Sequence, residues 1–277
     1  MLLDLLQDFV RQKRLAAWPD FVIKNALKEY LQFPVLAFLY SQKKYQEFIF
    51  IGGSALRIIH GLPRLSEDLD FNLPQEIYNQ IDLAVLGREL QKYFADKLQL
   101  AITYRVQGHD RLYLKFPVLR ALNLSAGRDE SDFLYVKIEL SVDDLINPEY
   151  ELAPVSGFGF NFIVKTYSLK FLMTGKISAI LSRSWFKGEN NKVDIKGRDY
   201  YDLYWYLNKG VEPDFVTLAA AFGINNQIEL KDRLREQIDS MVSPAKLRYD
   251  LLNFFSEQEF IANFCDNYSA IMKKFLD

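Results

Sequence analysis

The segment from Phe48 to Leu73 constrains the fold of this chain more than any other part of it. Its first residues, FIFI, are apolar and favour a β-strand, which ends at Gly52 and Gly53. A stretch with helical periodicity, SALRIIH, follows and ends at Gly61. After a short loop, DLDFNL alternates between polar and apolar residues, which predicts a strand with one face in a core. A strand, a glycine corner, a helix and a return strand together predict a mixed α and β unit.

The corner formed by Gly52, Gly53 and Ser54 has two interpretations. Backbone N–H groups and the positive end of a helix dipole meet at such a corner, and glycine lets a phosphate approach the backbone. The Ser54 hydroxyl would add a hydrogen bond, so all three residues are nucleotide-binding candidates. In the structural alternative, the corner is only a tight turn and Ser54 caps the helix.

Asp68 and Asp70 are separated by one residue on the predicted strand, so both point to the same face. Two adjacent carboxylates repel unless a cation or hydrogen-bond donors compensate their charge, and a divalent metal does this. The chain has one Cys and two His, so a metal would be held mainly by carboxylates, which favours Mg²⁺ or Mn²⁺. The alternative, two solvated acids on an exposed edge strand, is disfavoured by the apolar residues Leu69 and Phe71.

Thirteen residues separate Ser54 from Asp68, which is enough for one helix and a return loop. This arrangement resembles the signature of the nucleotidyltransferase superfamily, in which a third carboxylate on a neighbouring strand completes a metal site. The segment YVKIELS alternates and offers Glu139 on its polar face. Glu139 is therefore the expected third acid. Weaker candidates near a strand end or in a loop are Asp132, Asp143 and Asp144.

The motif GGSALR…HGLPRLSEDLDF resembles more narrowly the AbiEii-type toxins of type IV toxin–antitoxin and abortive-infection systems. That family carries a Lys–x–x–Ala–x–x–x–Arg helix and, later, an Arg–Asp–x–x–Asp–Leu helix. The corresponding segments here are GKISAILSR, with Lys176 and Arg183, and GRDYYDL, with Arg198, Asp199 and Asp202. The resemblance spans about residues 48–208. The first 45 residues and the tail after residue 210 carry no usable motif.

Lys176 and Arg183 fall within the apolar stripe of a helix predicted over residues 166–183. A charged side chain on a buried face is costly unless it is paired or faces a polar cleft. One interpretation is a structural ion pair that joins two helices, between Asp202 and either Lys176 or Arg183. In the other, Lys176 reaches nucleotide phosphates at the domain cleft, while Asp202 orients a base or the lysine.

The residues around the paired aspartates have both functional and structural interpretations. Arg57 and Arg64 would line the path of a phosphate or an RNA, or serve at the surface. His60, near a helix end, is more typical of a cap or a packing residue. Ser66 precedes Asp68 by two residues, and in related toxins a serine at this position has been implicated as a modifiable residue. A role in shaping the loop is the favoured alternative for Ser66.

The predicted fold is α+β: a nucleotidyltransferase-type mixed sheet with flanking helices, followed by an all-helical C-terminal domain. The predicted division is a catalytic domain with N-terminal helices at 1–155 and a helical domain at 156–277. The Pro- and Gly-containing stretch 148–161 is the expected linker or domain boundary. In the N-terminal part, the pattern predicts a helix from Trp18 to Tyr30 and another over 34–46. No apolar run reaches the length of a membrane span, so we expect a cytoplasmic protein.

The resemblance implies a toxin that transfers a nucleotide from an NTP to an RNA acceptor, the tRNA 3′ end, and arrests growth. Asp68, Asp70 and Glu139 would hold Mg²⁺ or Mn²⁺, Lys176 would stabilise charge on the phosphates, and a separate antitoxin would be the partner. The net charge is only −2, but residues 165–198 hold eight basic and two acidic residues, a candidate RNA-facing surface. Two alternatives are kinase-like (auto)phosphorylation through Ser66 and a non-catalytic nucleotide- or RNA-binding regulator.

Overall fold

The computed structural model describes residues 1–125, 131–182 and 194–277. The chain divides into two compact units, each described here by itself. The first comprises Met1–Asp144 with Glu151–Thr166, and the second comprises Leu145–Tyr150 with Tyr167–Asp277. Across the described ranges, no helix combines the length and apolar character that crossing a membrane requires.

Within the described ranges, the first unit is built on a seven-stranded sheet of order β3-β4-β5-β2-β1-β7-β6. Strand β1 is parallel to β7 and β2 is parallel to β5, whereas the pairs β1–β2, β3–β4 and β4–β5 are antiparallel. The predicted mixed sheet of an α+β fold is therefore confirmed. The strands are β1 Ile49–Ile51, β2 Asp68–Leu73, β3 Thr103–Gln107, β4 Arg111–Pro117, β5 Phe133–Val142, β6 Tyr150–Gly157 and β7 Phe160–Tyr167.

The helices described in the first unit are α1 Leu2–Leu15, α2 Asp20–Ser41, α3 Gly52–His60, α4 Gln75–Tyr78 and α5 Leu83–Leu98. The expected break between two helices near residues 31–33 is wrong, because α2 continues through Pro34. This helix is buried around most of its circumference. Its packing outweighs the hydrogen bond that the proline cannot donate.

The pairing of β2 with β5 determines which side chains lie together on the sheet. Asp68 is opposite Lys137, and Asp70 is opposite Glu139. Because side chains alternate along a strand, these four point to one face, and the intervening apolar residues of both strands are buried in the core. The predicted alternation of both strands is confirmed.

The expectation of a linker at 148–161 is wrong, because most of the stretch forms strands β6 and β7 of the sheet. A division between the two compact units does fall within it, between Tyr150 and Glu151. Gly157 and Gly159 lie at the turn between the strands, and a Cβ atom at position 157 would lie within 3.0 Å of Phe33 Cζ. Glycines are as typical of a hairpin turn as of a linker. The buried residues Ala153 and Val155 form the inner face of β6. The division into domains at 155/156 stays a prediction.

In the described part of the second unit, the regular secondary structure is helical except at Tyr150 and Tyr167, which belong to β6 and β7. The predicted helix over 166–183 begins at Leu169, because the residues up to Tyr167 belong to β7. Arg183 lies outside the described residues. The helices are α6 Leu169–Ser182, α7 Gly197–Asn208, α8 Phe215–Phe222, α9 Gln227–Met241, α10 Pro244–Leu251 and α11 Gln258–Leu276.

Candidate functional site

The glycine corner between β1 and α3 is shaped by its neighbours. Gly52 has a φ of +75°, and a Cβ atom there would lie closer than 3.0 Å to Asp70 Oδ2. A Cβ atom at Gly53 would lie 2.5 Å from Arg64 Nη2 and 2.9 Å from Ser66 Oγ. The two glycines therefore allow side chains from β2 and from the preceding loop to approach the backbone at the start of α3.

Ser54 is the third residue of α3 and is fully buried. Its hydroxyl donates a hydrogen bond to the backbone carbonyl of Asp68, which ties the start of the helix to the strand that carries the acids. The alternative of Ser54 as the N-cap is wrong, since the helix begins at Gly52 and Ile51 occupies the cap position. The predicted contact of Ser54 with a nucleotide stays a prediction.

The three predicted acids lie on one face of the first unit, and basic side chains lie among them. Lys137 Nζ is 3.2 Å from Asp68 Oδ2 and 2.6 Å from Glu139 Oε2. Arg111, which is opposite Glu139 on β4, donates from Nε and Nη2 to Glu139 Oε1 at 3.1 and 3.0 Å. The alternation of β5 also assigns Lys137 to the polar face, but nothing in the sequence pairs it with Asp68.

The electrostatics of this cluster keep Lys137, Glu139 and Arg111 charged. Burial alone would lower the pKa of Lys137, but Asp68 and Glu139, with Asp70 beyond them, raise it above its usual value. Burial alone would raise the pKa of Glu139, but Lys137 and Arg111 outweigh burial and lower it. The neighbouring carboxylate of Glu139 is the main cause of a raised pKa at Arg111.

The donor set of this face fits a hard divalent cation at two of the three predicted positions. Asp68 and Asp70 supply carboxylate oxygens from one side of β2, and such oxygens are the ligands that Mg²⁺ prefers. Both oxygens of Glu139 are bound by basic side chains. The described residues contain no group of three or more His, Cys, Asp or Glu side chains arranged to hold a metal.

Arg57, a predicted nucleotide-binding residue, makes structural contacts. Its Nε and Nη2 donate to the two carboxylate oxygens of Glu29 on α2, at 3.0 and 3.3 Å. Its Nη1 donates to the carbonyls of Leu62 and Pro63 in the loop before β2. Burial raises the pKa of Glu29, although Arg57 opposes the shift. These contacts favour a role for Arg57 in holding the loop.

Helix α2 makes further contacts with the loop before Asp68. Gln32 Nε2 donates to the carbonyl of Ser66 at 3.3 Å, and Lys28 Nζ lies 2.7 Å from Glu67 Oε2. Ser66 itself is buried. The first 45 residues carry no recognisable motif, yet they help to position the strand of the paired aspartates. Only the apolar periodicity of this region signalled that it packs on the sheet.

In the second unit, Lys176 on α6 pairs with two acids on α7. Its Nζ lies 2.8 Å from Asp199 Oδ1 and 2.9 Å from Asp202 Oδ2. The side chains of the two acids are 5% and 0% exposed, and that of Lys176 is 12% exposed. The ion pair of Lys176 with Asp202, one of the two interpretations of the sequence, is present. Asp199 is an additional partner that the helical pattern placed one turn away.

The arginine of the Arg–Asp motif has a different role from the acids beside it. Both the backbone N–H and the Nε of Arg198 donate to Asp250 Oδ2 on α10, at 3.0 and 3.3 Å. The guanidinium lies 4.2 Å from the centre of the Phe254 ring, a cation–π geometry. Arg198 therefore joins α7 to the segment that begins at α10.

The basic stretch 165–198 is described only at its two ends, because residues 183–193 lie outside the described ranges. Lys165 Nζ lies 2.6 Å from Glu47 Oε2, and Lys170 Nζ lies 3.1 Å from Asp214 Oδ1. An RNA-facing role of this stretch stays a prediction.

A glycine corner beside two aspartates on the central strands of a mixed sheet is the arrangement that the resemblance to nucleotidyltransferases implies. The sequence model of the family described as "Nucleotidyl transferase AbiEii toxin, Type IV TA system" matches residues 37–277. The chain therefore belongs to the AbiEii family of nucleotidyltransferase toxins.

Two solved structures of Helicobacter pylori proteins are similar over most of both chains. The first, a candidate nucleotidyltransferase, is 20% identical, with 91% of this chain and 95% of that chain covered and a TM-score of 0.45. The second, JHP933, is 19% identical, with 89% and 93% covered and a TM-score of 0.44. No curated protein matches the sequence.

Proposed function

We propose that this protein transfers a nucleotide from an NTP to an RNA acceptor, the tRNA 3′ end, and that this transfer arrests growth. The observation that carries the proposal is the position of Asp70 on β2, directly beside Gly52 at the start of α3. Carboxylates for a metal and backbone donors for a phosphate are thereby adjacent in one unit. Membership of a nucleotidyltransferase toxin family supports the same chemistry.

Each part of the proposed reaction has candidate residues. Asp68 and Asp70 would hold Mg²⁺ or Mn²⁺, which when bound neutralises triphosphate charge and favours deprotonation of an acceptor hydroxyl. The N–H groups at the start of α3, from Gly53 onward, would bind phosphate oxygens with the help of the helix dipole. Lys176, held by two acids, is the proposed cation for charge that develops during transfer.

The proposed partners follow from the family and from charge. A type IV toxin–antitoxin system implies a separate antitoxin protein. The excess of basic residues in the stretch 165–198 supports an RNA acceptor, because phosphate backbones bind where Lys and Arg accumulate. A cytoplasmic location follows if the acceptor is tRNA.

The test is incubation of the purified protein with total tRNA, Mg²⁺ or Mn²⁺ and each NTP in turn, labelled at the α- or the γ-phosphate. We expect α-label on the RNA with at least one NTP. Asp70→Asn should abolish the transfer, whereas Asp144→Asn, which removes an exposed acid beyond the end of β5, should preserve it. Absence of α-label on RNA with all four NTPs, despite nucleotide binding, would disprove the proposal. Incorporation of the γ-label alone would establish phosphoryl transfer in its place.

A further inference from the structure

Lys137 occupies a central position among the acids of the first unit. Its single ammonium group lies within ion-pair distance of both Asp68 and Glu139. The register of the sheet imposes this proximity, because Lys137 is opposite Asp68 and precedes Glu139 by two residues on the same strand face. A cation contributed by the chain is thus already present between two of the three carboxylates.

Glu139 is fully engaged with this internal cation and with a second one. Lys137 binds its Oε2, and Arg111 binds its Oε1 through two nitrogen atoms. The side chain of Glu139 is 26% exposed, so the carboxylate would lose partially desolvated, charge-assisted hydrogen bonds if it turned toward a metal. Asp70 is on the neighbouring strand, beside the glycine corner.

We propose that Lys137 is the resident cation of this cluster and that Glu139 positions Lys137 instead of ligating metal. The divalent ion would then be held by Asp68 and Asp70 alone, a refinement that rests on the proposed function. Charge supports it: Asp68, Asp70, Glu139 and Asp110, which also pairs with Arg111, carry four negative charges against the two positive charges of Lys137 and Arg111. One divalent ion neutralises the remaining two negative charges, and a second would meet a cluster with no excess of negative charge.

The first experiment measures binding of Mn²⁺ alone to the full-length protein, by the loss of the free-ion signal in electron paramagnetic resonance. Asp70→Asn should weaken Mn²⁺ binding at least tenfold, because a ligand is lost. Lys137→Met removes the resident positive charge and leaves Glu139 available, so binding should tighten about tenfold. Unchanged affinity in Lys137→Met would overturn the proposal.

A charge-balanced double variant separates a positioning role of Glu139 from a ligand role. Lys137→Met combined with Glu139→Gln removes one positive and one negative charge, so the net charge of the cluster is that of the wild type. Mn²⁺ affinity should then return to within about threefold of the wild-type value. A loss as large as that caused by Asp70→Asn would show that Glu139 is a metal ligand and would overturn the proposal.

Lys115→Met is the matched control, because Lys115 is on the same face of β4 as Arg111 but is opposite Tyr135, away from the acids. It should leave Mn²⁺ affinity unchanged. An effect equal to that of Lys137→Met would mean that overall charge, and not the position of Lys137, determines affinity, and would overturn the proposal. If the wild-type protein binds no Mn²⁺ and Asp70→Asn is indistinguishable from it, the metal of the proposed function fails, and this refinement fails with it.

Discussion

Substitution of Gly52 by alanine tests the link between the glycine corner and the paired aspartates. Gly52 has a φ of +75°, and a Cβ atom at this position would lie closer than 3.0 Å to Asp70 Oδ2 and 3.2 Å from Asp70 Cβ and Cγ. The added methyl group therefore meets the Oδ2, Cγ and Cβ atoms of Asp70. The methyl group is attached to the backbone of α3, so the side chain of Asp70 is the partner that must move, by several tenths of an ångström.

Gly61 provides a matched control for the backbone part of this change. Its φ is +73°, and a Cβ atom there would meet nothing within 4 Å. Both substitutions should cost about 1–2 kcal/mol of stability, because alanine is disfavoured in the left-handed region. For a chain of this size, that corresponds to a lowering of Tm by a few degrees. The displacement of Asp70 is added only in Gly52→Ala.

Displacement of a reacting group by up to about 1 Å can cost about 100-fold in rate. We therefore expect Gly52→Ala to lose roughly this factor in label transfer to RNA and to bind Mn²⁺ more weakly. Gly61→Ala should keep both properties at a similar Tm. Equal transfer rates in the two folded variants would refute the inferred coupling between the corner and Asp70. Loss of activity in Gly61→Ala as well would show that backbone strain alone explains the effect.

Three further predictions concern the second unit. Lys176→Met should lower the free energy of unfolding, measured in urea, by about 3–5 kcal/mol, because two buried carboxylates lose their cation. Adding Asp202→Asn should recover part of this loss, and no recovery would argue against the pairing of Lys176 with Asp202. Asp214→Ala should cost about 1 kcal/mol, because Asp214 caps α8 through Thr217. Burial raises the pKa of Asp214, but hydrogen bonds from Thr217 outweigh burial and hold it below its usual 3.8. This contribution is therefore complete above pH 3.8 and is lost as the pH falls through the folded-state pKa, and a wild-type advantage that does not decline at all below pH 3.8 would contradict the assignment. Burial raises the pKa of Cys265 to about 11, so iodoacetamide at pH 8 should alkylate it far more slowly in the native protein than in urea, and equal rates would contradict its burial.

Local patterns predicted the parts of the fold that depend on side-chain alternation and helix ends. The alternation in DLDFNL and YVKIELS correctly assigned Asp68, Asp70 and Glu139 to polar faces, because a buried strand face tolerates only apolar residues. The same reasoning failed at 148–161, where glycines and prolines were interpreted as a linker. Such residues mark a change of direction in the chain. Whether the flanking segments form a hairpin or a linker depends on the pairing of β7 with β1, a distant contact that the local pattern does not contain.

Contacts between distant segments could not be predicted from such patterns. The pairing of Lys137 with Asp68 depends on the register of two strands that are far apart in sequence, and nothing local to either strand specifies that register. The contacts of Glu29 and Gln32 with the loop before β2 depend in the same way on how α2 packs. For this reason the candidate residues were identifiable from the sequence, whereas their partners were not.

Each unit contains a lysine held between two carboxylates, but the two lysines differ in burial and therefore in what they can do. The acids around Lys176 are 5% and 0% exposed, so water cannot replace the lysine, which is fixed as a preorganised positive charge. Asp68 and Glu139 around Lys137 are each 26% exposed, so water can partly solvate them when an incoming cation changes the charge balance. It follows that variants of Lys176 should lower stability and, under the proposed function, transfer as well, whereas variants of Lys137 should report mainly on cation binding.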